Sequence, residues 1–356
     1  MKFLSVVGAR PQFVKAAVLS RALRQRHTEV LVHTGQHYDD LMSEVFFREL
    51  ALPAPDMNLG IGSGTHGEQT GRAIEGLETV MLKQQPDCVI VYGDTNSTLA
   101  GALAAAKLNI PVAHVEAGLR SYDRSMPEEI NRVVTDHVSS YLFCPTANAV
   151  ACLKKEGIEK GVYEVGDLMY DSVLATLQRV DAYAPEVLQR FGLKAGEYFL
   201  ATIHRASNTD DPNVLRELFM ALGRLKAPVF LPLHPRTREA LHTEGVPIPL
   251  NVHLSEPTGY LDMLALEHNA RAVLTDSGGL QREAYFLSVA CVTLREETEW
   301  PETLAGGWNV LAGCDQARIV EAAERPRPSE PPRSAFGDGR AATKIVEILE
   351  RDPPYR

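Results

Sequence analysis

Short apolar runs alternate with helical stretches along the chain, and that rhythm leaves few architectures open. In the first part KFLSVVG, EVLVHTG, CVIVYGD, PVAHVEAG and YLFCPT are each followed by a helical pattern. After VYEVGD the rhythm resumes with EYFLATIH, PVFLPLH, a short run near NVHLSEP, AVLTDSGG and VACVTLR. Such alternation marks βαβ units, because parallel neighbouring strands need a crossover and the helix supplies it. A chain of 356 residues is long for one core, since domains settle at roughly 100–200 residues. The expected fold class is therefore α/β, with two Rossmann-like domains whose parallel sheets face each other across a cleft. The first domain is expected to span residues 1–166 and the second 167–338, with the boundary near Gly166 and Asp167. A stretch rich in Pro, Ser and Gly, Arg325 to Gly339, reads as a linker before a last segment, 339–356, that carries an amphipathic helix.

Composition removes several classes of function. Apolar residues make up 45% of the chain and charged residues 23%, which is the balance of an ordinary packed globular protein. The formal charge of -10 argues against a general nucleic-acid or membrane-surface binder, because those present a basic face to phosphates. Any anionic ligand must be held by locally gathered cations. Cys88, Cys144, Cys152, Cys291 and Cys314 are scattered and form no metal-binding spacing. No apolar stretch reaches the roughly 18 residues of a membrane span. The run Phe3 to Ala9 is too short for a signal peptide and ends in Arg10, so a cytoplasmic protein is expected.

In open parallel sheets, ligands gather beyond the carboxyl ends of the strands, which directs attention to the residues after each apolar run. In GARPQFVK, Pro11 suits a first helical turn and places Arg10 at a helix N-terminus, where a guanidinium beside the helix dipole could clamp a phosphate. A surface Arg at a helix start would look the same. LTDSGGLQREAYF is the stronger phosphate pattern: Ser277, Gly278 and Gly279 sit between strand and helix, and open N–H groups there can hold a diphosphate. Glu283, one turn further on, could bind ribose hydroxyls or be an exposed helix-favouring residue. No GxGxxG fingerprint occurs, so no dinucleotide cofactor is expected. Asp94 and Glu116 follow apolar runs directly, and Glu128 follows a Pro at a helix start. Each has an ordinary reading, Asp94 as a helix N-cap, Glu116 as a loop acid and Glu128 as a first-turn acid. Carboxylates gathered in one cleft would instead suit acid and base chemistry. His204 and His234 each end a strand and each have an Arg within two residues.

Taken together, GARPQFVK, TGQH (Thr34 to His37), GDTNSTLAGALAAAK, HVEAGLRS, MPEEINR, ATIHRASN, LPLHPRT, TDSGGLQREA and TEWPE resemble the non-hydrolysing UDP-N-acetylglucosamine 2-epimerases. The resemblance runs from Lys2 to Gly313 and implies the glycosyltransferase B fold, with the last helix packing back on the first domain. It implies conversion of UDP-GlcNAc to UDP-ManNAc by anti elimination of UDP and re-addition through 2-acetamidoglucal. By that resemblance Asp94, Glu116 and Glu128 are acid/base candidates and His204 supports the departing diphosphate. Arg10, Ser277, Gly278 and Gly279 then belong to the phosphate site and Glu283 to the ribose site, while Lys15, Arg132 and His234 match further binding positions. The family also implies a homodimer; a phosphate site built from Arg, His and helix-start N–H groups has no need of a metal, and no cofactor is expected.

Two departures stand out. Many members carry Arg where Trp300 follows Glu299, and regulated bacterial members carry Gln where this chain has Asp39. The second change removes part of the family's allosteric pattern, so hyperbolic kinetics are expected. The first, with FCPT, THGEQTGR and PTGYLDM, resembles a branch that epimerises UDP-2,3-diacetamido-2,3-dideoxyglucuronic acid. A UDP-sugar glycosyltransferase of the same fold would share the UDP-binding motifs, but an acceptor site has no need of three carboxylates.

Overall fold

The computed structural model describes residues 1–36, 48–332 and 334–352. His37 and Asp39 lie outside them. Each apolar run named above forms a strand, and the chain divides into two compact units.

The first unit takes Met1–Leu174 and the chain from Ser334 on. It contains β1 (Lys2–Val7), α1 (Arg10–Leu23), β2 (Thr28–His33), β3 (Met57–Asn58), α2 (His66–Gln84), β4 (Cys88–Tyr92), α3 (Asn96–Lys107), β5 (Val112–Val115), α4 (Pro127–Val138), β6 (Tyr141–Cys144), α5 (Ala147–Lys155) and β7 (Val162–Glu164). Among the described residues they build a seven-stranded sheet in the order β3-β2-β1-β4-β5-β6-β7. The pairings are parallel, with Leu4 of β1 opposite Val30 on one side and Val89 on the other. Phe3, Leu4, Val6 and Val7 are fully buried on both faces of the sheet, each contributing about 1.5–3 kcal/mol by leaving water. This explains why parallel strands read as continuous apolar runs rather than as alternating ones.

α6 (Leu168–Phe191) carries the chain into the second unit, Ala175–Arg333. There follow β8 (Phe199–Thr202), α7 (Ala206–Thr209), α8 (Pro212–Gly223), β9 (Val229–Pro232), α9 (Pro235–Glu244), β10 (Val252–Ser255), α10 (Tyr260–His268), β11 (Ala272–Thr275), α11 (Gly278–Phe286), β12 (Cys291–Thr293), a 3₁₀ segment (Pro301–Gly307), β13 (Asn309–Leu311) and α12 (Gln316–Glu324). The second sheet runs β10-β9-β8-β11-β12-β13, again parallel. Its core joins Phe199, Leu231, Leu274 and Val292 of the strands to Leu215, Phe219 and Leu222 of α8 and Ile319 of α12. In both sheets the order reverses beside the first strand of the unit, between β1 and β4 and between β8 and β11.

α13 (Ala341–Arg351) returns to the first unit and lies against α1. Its first-turn N–H groups, which no helix can satisfy internally, are taken by a side chain distant in sequence: Ala341 N and Ala342 N donate to the Asp171 carboxylate at 3.1 and 2.9 Å. At the other end Tyr141 Oη donates to the Asp352 carbonyl. Replacing Asp171 with Ala leaves both donors without their partner. We expect Asp171→Ala to lower the stability of the first unit by about 1–2 kcal/mol, read as an earlier urea midpoint with no change in the folded far-UV spectrum.

Candidate active site

The loop after β1 starts α1 at Arg10, with Pro11 in the first turn. Gln12, fully buried, ties this loop to the neighbouring one across the reversal: its Oε1 accepts from Gly8 N and Ala9 N at 2.7 and 3.0 Å, and its Nε2 donates to Tyr92 O at 2.7 Å. Lys15, one turn further along α1 and buried, reaches the Glu116 carboxylate with Nζ to Oε2 at 2.5 Å. A cavity of about 10 Å³ lies beside the pair, lined also by Val115, Phe143, Val165 and Ile345, which is room for one water.

Asp94 follows β4, but it does not cap α3. The N-cap is Thr95, whose hydroxyl accepts from Thr98 N. The Asp94 carboxylate accepts instead from Arg132 Nη2 of α4 at 2.5 Å, and Asn131 Nδ2 holds the Asp94 carbonyl at 3.0 Å. Arg132 also meets Glu129, with Nη1 3.2 Å from Oε2. The Glu128 side chain, half-buried in the first turn of α4, makes no hydrogen bond or ion pair among the described residues. Of the six residues named for this unit, the structure therefore pairs Asp94 with Arg132 and Glu116 with Lys15, while Arg10 and Glu128 each open a helix.

Glu116 has φ of +71°, unusual for a residue with a Cβ and a form of strain that gathers at functional sites. The turn is held from beneath. Glu116 N and Ala117 N both donate to Phe143 O at 3.1 Å. Gly118 N donates to the fully buried Asp136 at 3.1 Å; at φ of +80° a Cβ on Gly118 would lie 2.4 Å from the Ala149 carbonyl oxygen. Asp136 also accepts from His114 Nδ1 and Arg120 Nη1, each at 2.7 Å, and Arg120 grips Glu156 at 2.7 Å. His114 Nε2 lies 2.7 Å from the Gly93 carbonyl, so both ring partners are acceptors and each ring nitrogen donates. Asp136 thus ties the turn bearing Glu116 to the residue before Asp94.

In the second unit His204 and His234 follow β8 and β9, with ring centroids 5.4 Å apart. His234 caps α9, its Nδ1 accepting from Arg236 N at 3.2 Å. Arg236 turns away to Thr209 and Asp210, at 2.8 and 2.6 Å. Ser277 caps α11 and leaves the first-turn N–H groups of Gly278 and Gly279 without intrahelical partners. Below this turn the buried Trp300 packs closely: a Cβ on Gly278 would lie 3.2 Å from Trp300 Nε1. The Arg282 guanidinium covers the indole at 3.8 Å from its centroid. Glu283 is buried in α11, and burial together with the Glu283 charge pushes the fully buried Glu267 carboxyl of α10 well above the usual carboxylate range.

Gln12, His114, Asp136, Glu267 and Asp276 were not singled out from the sequence as site residues. Asp276 alone carried a local signal, as an acid directly between a strand and a Gly-Gly turn. No cluster of three or more His, Cys, Asp or Glu that could hold a metal ion occurs among the described residues. Nor is any described helix long and apolar enough to cross a membrane.

Residues 21–350 match the family model described as UDP-N-acetylglucosamine 2-epimerase. The chain belongs to the UDP-N-acetylglucosamine 2-epimerase family. It is 50% identical over 354 residues, 98% of this chain and 99% of the other, to a UDP-N-acetylglucosamine 2-epimerase homolog of Methanococcus maripaludis. It is 49% identical over 362 residues, 99% of this chain and 100% of the other, to UDP-2,3-diacetamido-2,3-dideoxy-D-glucuronate 2-epimerase of Pseudomonas aeruginosa. The crystal structure of Methanocaldococcus jannaschii UDP-GlcNAc 2-epimerase in complex with UDP-GlcNAc and UDP superposes with a TM-score of 0.91 at 44% identity, covering 99% of this chain and 100% of that one. As a 2-epimerase family member of the glycosyltransferase B fold class, the protein is an isomerase.

The Asp136 network yields a prediction with a defined pH sign. Burial alone would raise the Asp136 carboxyl, but the charges and hydrogen bonds of His114 and Arg120 outweigh it and hold the group below its ordinary range. A carboxyl lowered in the folded state stabilises above its unfolded value, about 4, and loses that contribution as pH falls through the lower folded value. Asp136→Asn should therefore cost about 3 kcal/mol at pH 7, as for a broken buried pair, and the gap to wild type should narrow below pH of about 4. Urea melts at both pH values check it; a gap that stays constant would exclude the charge as its cause.

Proposed function

We propose that this protein interconverts UDP-GlcNAc and UDP-ManNAc by anti elimination and re-addition of UDP. The observation that carries the reading is the set of acids beyond the carboxyl ends of β4 and β5, Asp94 and Glu116, each joined to a buried cation, with Glu128 open in the first turn of α4. C2 of the sugar has no adjacent carbonyl, so removing its proton directly would leave an unstabilised carbanion. Elimination avoids this. One carboxylate takes the C2 proton as the C1–O bond breaks; the C–H pair becomes the C1=C2 bond of 2-acetamidoglucal, and the C1–O pair leaves on the diphosphate. Return of UDP to C1 with a proton delivered to the opposite face of C2 completes inversion. The overall change is redox-neutral and needs no hydride acceptor.

In this reading the first turn of α11, with Ser277, Gly278 and Gly279, holds the diphosphate, and Arg10 at the start of α1 is the phosphate-binding candidate of the first unit. Glu283 receives the ribose, and His204 meets the departing charge. Lys15 and Arg132 hold and aim their carboxylates, and His234 supports His204 through ring contact. A homodimer remains the assembly expected from the family, to be read by gel filtration. The second reading, UDP-2,3-diacetamido-2,3-dideoxyglucuronate as substrate, is favoured by Trp300 at a position where many members carry Arg, and by the 49% identical relative of that name. It requires the same chemistry at C2.

Proton NMR in D₂O tests both. With UDP-GlcNAc, the expected result is a UDP-ManNAc anomeric signal with deuterium at C2 in both epimers. Turnover of the diacetamido uronate alone would move the assignment to the second reading, and transfer to an added acceptor without epimerisation would overturn both. Asp94→Asn, Glu116→Gln and Glu128→Gln should each lower kcat by about 10²–10⁴-fold while the protein still binds UDP; full activity in all three would remove the basis of the mechanism.

A further inference from the structure

Asp276, the residue between β11 and Ser277, is fully buried and takes four contacts. Its Oδ2 accepts from His204 N and Arg205 N, both at 2.9 Å, and from Asn208 Nδ2 at 3.0 Å. Its Oδ1 lies 3.0 Å from His204 Nδ1, an ion-pair contact off the line of a hydrogen bond, and has no hydrogen-bond partner among the described residues. The division of labour between the two oxygens is complete: one holds the backbone after β8, the other faces only the imidazole. Asn208 is fixed in turn by Leu294 O at 3.0 Å. Burial opposes charge on Asp276, but the adjacent His204 imidazole, with the Arg205 and His204 N–H groups, outweighs it and keeps the carboxyl below its usual range. A carboxylate only accepts, so a proton on Nδ1 is the arrangement in which ring and acid attract. The ring is one-third exposed, at 33%, against 0% for the carboxylate. Its other nitrogen, Nε2, points away from Asp276 and has no partner among the described residues.

We propose that Asp276 is a positioning residue that acts through His204: it faces Nδ1–H, aims Nε2 at the nucleotide-sugar diphosphate, and balances the charge of a second proton, taken up from solvent at Nε2, as negative charge builds on the departing UDP. The inference rests on the reading above that His204 meets the diphosphate. It gives a reason for an acid in a phosphate-binding turn, where an uncompensated negative charge would weaken anion binding. The carboxylate is buried behind the imidazole and presents its charge to that ring and not to the ligand.

Asp276→Asn isolates the dyad. The three donors on Oδ2 require the amide oxygen there, which turns the amide NH₂ toward His204 Nδ1. The loop after β8 keeps its bonds, and only the imidazole changes: Nδ1 must accept, so its proton moves to Nε2. Long-range ¹H–¹⁵N spectra of the 11 histidines, with His204 assigned by its loss in His204→Ala, should show the Nδ1–H form in wild type and the Nε2–H form in the variant. Steady-state kcat should fall at least about 100-fold, as when an orienting acid is replaced by its amide, with the Kd for UDP changed less than tenfold. In the His204→Ala background the same substitution should have no further effect on kcat, since the two act as one unit. A full-sized loss in that background, or an unchanged tautomer, would overturn the dyad and leave Asp276 a loop support. Wild-type kcat in His204→Ala would remove the role of His204 itself and the dyad with it. If wild type turned over neither UDP-sugar, the reading of function would fail, and the tautomer comparison with UDP bound would still decide the dyad.

Discussion

The reversal of strand order beside β1 and beside β8 is the constraint on which the site residues depend. Each unit begins in the middle of its sheet, winds outward in one direction, then crosses the starting strand and winds in the other. The loops leaving the two strands at the reversal diverge, and a crevice opens between them. The strands stop pairing there, so backbone groups that a ladder would have satisfied need side-chain partners or ligands. Both units answer with a buried polar side chain thrown across the gap. In the first, Gln12 in the first turn of α1 bonds Tyr92 O at the end of β4. In the second, Asp276 of the β11 loop bonds the N–H groups of His204 and Arg205 after β8. Loop residues thereby acquire the rigidity of the sheet beneath them.

Charge is handled differently in the two units. The first buries cations against acids, Lys15 with Glu116 and Arg132 with Asp94 and Glu129. An unpaired ammonium or guanidinium at that depth would cost several kcal/mol, so the pairing that orients each carboxylate also makes each cation tolerable. The second unit leaves N–H groups open at the start of α11 and buries two carboxylates nearby, Asp276 and Glu267. Asp276 is covered by His204. Glu267, with Glu283 as the charge that acts on it, is driven toward its neutral form. Two buried acids in one unit thus end in opposite states because one faces N–H donors and an imidazole while the other faces only another acid.

The strand-helix rhythm was legible because parallel strands are apolar on both faces, and all ten runs read as strands are strands. β3, β7 and β13 were not legible: they are two or three residues long, and Met57–Asn58 and Val162–Glu164 are at most half-buried at the sheet edges, so no apolar run announces them. Residue types at strand ends pointed to Asp94, Glu116, His204 and Ser277, but not to what each touches. The Asp94 alternative shows why. Thr95 competes for the same cap one residue later, and the partner that claims Asp94 lies 38 positions away. Asp136 is harder still, since in sequence it is a polar residue near the end of a helix. Its meaning comes from His114, Arg120 and Gly118, which belong to β5 and the turn after it.

Trp300 bears on the choice of substrate through where its surface goes. One face of the indole is covered by Arg282, its Nε1 edge lies beneath Gly278, and the residue is 3% exposed. A side chain covered in this way cannot meet a carboxylate at C5 of a sugar or an acetamido group at C3. Its influence is mechanical, on the height of the turn that precedes α11, and every UDP-sugar would share that turn. The two candidate substrates differ only in groups on the hexose, so what separates them must come from side chains with exposed polar atoms near the sugar. Trp300 therefore marks the branch this chain resembles without itself supplying the contact that would choose between the substrates.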